Sequence, residues 1–194
     1  MISVDRVLSV DLASKFSAYC VLDSTGQVLH QGDSRGKSAF QLAGDLSKLA
    51  GSYLGEDHNI LLEDVPYGIG SQFQTKPVLR LQGILINELR EFTDRILFVN
   101  PSTWQRSYPG VSSGEKASRE DAARRAAEEL GYTPPPLVEE WTAMCQRENK
   151  KVLKKDTNPL AKNETDYIDA YLMGHWALQQ KDIRSLSGVQ PSMI

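Results

Sequence analysis

At 194 residues, 40% hydrophobic and 24% charged, the chain has the size and make-up of one well-packed globular domain. No apolar run approaches the ~20 residues a membrane-spanning helix needs. The opening MISVDRVLSVDLAS has no secretory leader pattern. Cys20 and Cys145, with no CxxC spacing, argue against a zinc site or disulfide framework and fit a reducing cytoplasm. The net charge of −3 is not the footprint of a basic nucleic-acid-binding domain.

In chain order, Arg6–Asp11 (RVLSVD) is a branched apolar run and reads as a strand, with Ser17–Leu22 as a second. Asp23-Ser-Thr-Gly26 is a hairpin signal leading to a third strand over Val28–Gln31. Ser38–Leu54 spaces Leu42, Leu46, Leu49 and Tyr53 as an amphipathic helix. Asn59–Val65 is apolar nearly throughout, as in a strand covered on both faces. Residues 66–76 read as a loop, Pro77–Phe92 as a helix with one apolar stripe, and Ile96–Val99 as the fifth strand. A third helix runs from about Ser118, with Asp121 completing a capping-box pattern, to Leu130, and Gly131 stops it. Three prolines then break the chain before a further helix over Leu137–Lys150, and Glu164–Gln180 is the last helix. The order predicts an α/β domain over residues 1–184. Its mixed five-stranded sheet joins an antiparallel three-strand meander to two parallel strands, with helices on both faces. Residues 185–194 read as a flexible tail.

Acidic residues stand at three places along this frame. Asp11 ends the first strand, Glu63 lies in the fourth, and Asp166 and Asp169 sit in the first turns of the last helix. The i, i+3 spacing of the last two puts both on one face, which continues through Leu172 or Met173 to Trp176 and so turns toward the sheet. Each acid has a structural alternative: Asp11 as a turn cap, Glu63 as partner of Arg80, Asp166 as a helix N-cap. Jointly they point elsewhere. Carboxylates converging at the edge of an apolar core need a cation, and all-oxygen ligation selects Mg²⁺ or Mn²⁺ over zinc. Two such ions about 4 Å apart suit phosphodiester hydrolysis.

Three stretches carry a resemblance to a known family. They are Asp166-Tyr-Ile-Asp169-Ala-Tyr-Leu-Met-Gly-His175, Leu61-Leu62-Glu63-Asp64-Val65, and Val10-Asp11, with a weaker match at Gly114-Glu115-Lys116-Ala117-Ser118. The chain resembles the RuvC Holliday-junction resolvases of the RNase H-like superfamily, over roughly residues 6–130 and 164–178. It departs from them in having Leu12-Ala-Ser14-Lys15 where they carry glycines, and in an insertion at about 133–163. These departures suggest a divergent, phage-type member. The resemblance implies an RNase H-like fold, endonuclease activity on four-way DNA junctions in recombination and repair, and a catalytic metal set of Asp11, Glu63, Asp166 and Asp169. It also implies a homodimer, since an isologous pair suits a two-fold substrate. Residues 77–92 would supply that interface, or pack only on the sheet.

For DNA contact, Lys116 and Arg119 stand near a helix N-terminus that favours phosphate. Arg124 and Arg125 are as well placed to be solvated or to pair with Glu120, Asp121, Glu128 or Glu129. Tyr67 and Phe73 follow Glu63 and could stack on an unpaired base, or anchor their loop in the core. Residues 147–162 hold Arg147, Lys150, Lys151, Lys154, Lys155 and Lys162 against Glu148 and Asp156, a local +4 that could follow a DNA arm. Other enzymes of the superfamily, acting on flaps or RNA–DNA hybrids, are the nearest alternative. An actin-like phosphotransferase lacks its glycine-rich loops here, and a non-catalytic DNA-binding module would not need all four acids.

Overall fold

The computed structural model describes residues 6–13, 16–54, 58–64, 72–148 and 159–191. Six strands form one sheet: β1 (Arg6–Asp11), β2 (Ala18–Asp23), β3 (Val28–Asp33), β4 (Asn59–Glu63), β5 (Ile96–Val99) and β6 (Val189–Pro191), in the order β3-β2-β1-β4-β5-β6. The meander β1–β2–β3 is antiparallel, and β4 and β5 run parallel to β1, as the alternation of strand and helix required.

The sixth strand corrects the expectation of five strands and a flexible tail. β6 pairs antiparallel with β5, the backbone N–H of Asn100 donates to the Gly188 carbonyl at 2.9 Å, and Ile183 and Val189 are buried. β5 would otherwise present an open edge of unpaired backbone groups, which a short antiparallel segment satisfies.

Strand alternation divides the core in two. Val7, Ala18, Cys20, Leu22, Leu61, Leu97 and Val99 face α3 (Pro101–Gln105), α4 (Lys116–Glu129) and α6 (Pro159–Leu178). Leu8, Val10, Tyr19, Val21, Ile60, Leu62 and Ile96 face α1 (Ala39–Tyr53) and α2 (Gln72–Glu88). α5 (Leu137–Arg147) falls in the segment read as an insertion and packs against α6. Among the described residues no helix is long and apolar enough to cross a membrane.

Three helix starts differ from expectation. α2 begins at Gln72, so Phe73 lies in its first turn instead of a loop and Pro77 inside it. α4 begins at Lys116 after Gly114, whose φ of +90° makes the turn. Glu115 is its N-cap without a side-chain cap bond, so Ser118 and Asp121 form no capping box. α6 begins at Pro159, a residue suited to the first helical position. Asp166 and Asp169 therefore lie about two and three turns inside the helix, and neither is a cap.

α6 lies close on β1. The Ser9 hydroxyl donates to the Ala170 carbonyl at 2.6 Å, and Gly174 leaves room for it. A methyl group on Gly174 would stand 2.7 Å from Ser9 Oγ and 2.9 Å from Leu22 Cδ1, both in packed core. Gly174→Ala is expected to destabilise the fold by about 1–3 kcal/mol in urea denaturation despite its gain in helix propensity. An unchanged midpoint would mean that α6 is free to lift.

Candidate active site

β1 and β4 run side by side, and one residue beyond the paired positions Val10 and Leu62 come Asp11 and Glu63. Both carry the parity of Ser9 and Leu61, which places them on the α6 side of the sheet. The Ser9–Ala170 bond sets the height of α6 beside β1, and Asp169 precedes Ala170 by one residue. Asp166 stands one helical turn further toward the N-terminus of α6. All four sequence-chosen acids thus meet at one end of the sheet, from three separate elements.

Their electrostatics confirm the convergence. Asp11 is only 7% exposed; burial pushes its pKa well above the carboxylate range, and Glu63 and Asp166 add to this. The side-chain contact between Asp11 and Glu63 raises the first and lowers the second. Glu63 is raised to about 7 by burial and by Asp169 and Asp166, against the opposing pull of Asp11's hydrogen bond and the Trp104 indole. Asp166 is likewise raised to about 7 by burial, with Glu120 raising it and Lys116 holding it down. Asp169 is raised well above its usual value by burial and by Asp11, Asp166 and Glu120, with Arg119 opposing. Arg80, the suggested partner of Glu63, is exposed on the far side of the sheet among α1 and α2 residues.

The acids open into a cavity of about 220 Å³ lined by Gln105, Val111, Lys116, Arg119, Glu120, Ala123, Thr165, Asp166 and Asp169. The two basic residues chosen for DNA contact therefore share a wall with two of the acids. Lys116 Nζ lies 3.6 Å from Glu120 Oε1. Among the described residues, no three acidic, histidine or cysteine side chains already stand close enough to enclose a cation. The donor set nevertheless fits one: all four groups are carboxylates, and burial disfavours the charged form of each. That is the chemistry of a hard divalent cation.

Two contributors went unseen in the sequence. Glu120 joins the acids from α4, having read as one of several charges on a solvated helix. Trp104, fully buried in α3, sets its indole N–H beside Glu63 without a well-formed hydrogen bond. The Asn100–Pro101 pair ahead of it is a helix-start signal, and Asn100 Oδ1 does accept from the Ser102 N–H at 3.0 Å. Arg124, still partly exposed, donates from Nη2 to the buried Glu164 Oε2 at 3.3 Å, tying α4 to α6. Tyr67, the Phe73 side chain and residues 149–158 of the basic segment lie outside the described residues.

By sequence, the chain matches no protein-family model and no curated protein. Its coordinates do match solved structures. T. thermophilus RuvC in complex with a Holliday junction substrate superposes with a TM-score of 0.55 at 12% identity, over 89% of this chain and 93% of that one. The fold is RuvC-like. A second structure of Thermus thermophilus RuvC matches 89% of this chain and 97% of its own at 12% identity, with a TM-score of 0.49. The likeness to the first of these spans nearly the whole of the RuvC chain.

Proposed function

We propose that this protein is a divergent RuvC-type endonuclease that resolves four-way DNA junctions by divalent-cation-dependent hydrolysis of phosphodiester bonds. The observation that carries this reading is the meeting of Asp11, Glu63, Asp166 and Asp169 in one site, with Lys116 and Arg119 beside the last two. The junction bound by the similar T. thermophilus structure supports a branched substrate.

Asp11, Glu63, Asp166 and Asp169 would hold Mg²⁺ or Mn²⁺, in one or two ions. Held there, the cation would supply Lewis acidity for phosphodiester hydrolysis. The chain itself fixes the geometry and excludes bulk water. Trp104 closes the floor behind Glu63, and Lys116 and Arg119, in the first turn of α4, offer donors to backbone phosphate. A homodimer would place two such sites on a two-fold junction. α2 packs Val78 and Leu85 into the core and turns Leu79 outward, where a partner copy could cover it.

The test compares wild type with Asp11→Asn on four-way junction, flap, RNA–DNA hybrid and linear duplex, each with Mg²⁺ or Mn²⁺. Wild type is expected to make paired nicks in the junction. The variant should lose at least about 100-fold, the upper end for a group that only orients a metal ligand. Equal cutting of linear duplex would leave a general nuclease, and preference for the hybrid would move the reading elsewhere in the superfamily. Full activity of Asp11→Asn would refute the site.

A further inference from the structure

We infer that this site binds DNA backbone and divalent cation together, because its own carboxylates hold Lys116 and Arg119 until a cation displaces them. The inference rests on the nuclease reading above and adds a regulation that the four-acid constellation does not contain.

The cavity sets three carboxylates, Glu120, Asp166 and Asp169, against two cations, Lys116 and Arg119. With every group ionised its lining carries −1, and a phosphodiester entering it is repelled. One divalent ion makes the lining +1, and the same phosphate is then attracted. Lys116 is engaged twice, at 3.6 Å from Glu120 and as the chief positive influence on Asp166. Arg119 faces Asp169, yet its buried Nε has no hydrogen-bond partner. That leaves one donor of the guanidinium for a ligand acceptor. A guanidinium suits phosphate well, having several donors in a fixed fork.

Glu120 makes the idea separable from catalysis. It comes from α4, outside the four acids on β1, β4 and α6, and it contacts Lys116 one turn away on the same helix. Its removal should loosen the hold on Lys116 without removing any of the four. Glutamine and glutamate have nearly equal helix propensity, so Glu120→Gln should keep the fold.

The experiment is fluorescence anisotropy of a labelled four-way junction and a labelled linear duplex, in EDTA and in Ca²⁺ at matched ionic strength, with DNA integrity checked on a denaturing gel. Wild type is expected to bind about tenfold more tightly in Ca²⁺. Glu120→Gln is expected to bind roughly three- to tenfold more tightly than wild type in EDTA and to show a smaller gain from Ca²⁺. Its dependence on salt in EDTA should steepen by about one in log–log slope, as one more side chain engages phosphate. Asp169→Asn should lose most of the Ca²⁺ gain. Equal wild-type binding in EDTA and Ca²⁺ overturns the coupling and leaves the nuclease reading intact. So does a Glu120→Gln variant that matches wild type in EDTA, or an Asp169→Asn variant that keeps the full Ca²⁺ gain. Failure to bind either DNA under both conditions overturns the nuclease reading itself, and the coupling with it.

Discussion

Asp169→Asn is expected to melt about 4–8 °C above wild type in EDTA near pH 7.5, while no longer cutting DNA. Burial raises the pKa of Asp169 most, Asp11, Asp166 and Glu120 raise it further, and Arg119 opposes them. Asparagine keeps the shape and removes the charge. Relief of one buried, like-charged carboxylate is worth on the order of 2 kcal/mol, and a chain of this size gains about 2–4 °C per kcal/mol. A site kept strained for function typically shows this exchange of stability against activity. Differential scanning calorimetry checks it.

Asp33 provides the contrast. It is also a buried acid, at 8% exposure, but Tyr167 Oη donates to its Oδ2 at 2.7 Å and Arg35 Nε donates to the same oxygen at 2.8 Å. Asp33→Asn breaks a satisfied cluster and should lower the melting temperature, since it leaves buried donors with a poorer acceptor. If Asp169→Asn falls as Asp33→Asn does, Asp169 belongs to the fold and the reading of a cation-hungry site fails.

The difference between these two aspartates also marks what the sequence could disclose. Asp11 and Glu63 were legible because each follows a run of apolar residues, and strand alternation then sets the face. Asp166 and Asp169 were legible because helical period aligns them with Trp176. Local pattern was enough for these. It was not enough for Asp33, whose partner Tyr167 lies 134 positions away, or for Arg124, whose partner Glu164 lies 40 away. Arg124 has nearer acids on its own helix, so spacing alone favoured the wrong ones. Glu120 was hidden for a related reason: a Lys–Glu pair at i, i+4 reads as ordinary surface helix until α6 is packed against it. β6 was missed because Val189–Pro191 has little strand propensity of its own. The open edge of β5 and the burial of Ile183 and Val189 order it, and both are tertiary effects.

Acid strength in the site leads to the other large expected effect, an inverted dependence of stability on pH. Glu63 and Asp166 titrate at about 7 in the folded protein, against ordinary values of 4.5 and 3.8. A folded pKa above the unfolded one means that the native state holds more protons between them. Stability therefore falls as pH rises through that window and levels off above about 7. Each proton contributes a slope of up to about 1.4 kcal/mol per pH unit. Asp23 and Asp45, held low by Thr25 and Lys37, act oppositely at more acidic pH, and His175, held low by burial, acts oppositely inside the window, so the part of the decline that belongs to the site is the part its own variants remove. In EDTA the melting temperature should be highest near pH 5 and drop by several degrees toward pH 8, and Asp166→Asn should flatten the decline. Adding Mg²⁺ should restore stability near pH 8 and do little near pH 5, because the ion stabilises only the state it binds and must displace protons to bind it. A wild-type profile that rises from pH 5 to 8 in EDTA would show that the carboxylates are already paired within the protein. A declining profile that Mg²⁺ cancels would show proton and cation competing for one set of oxygens, which ties the onset of cleavage to the same pH window.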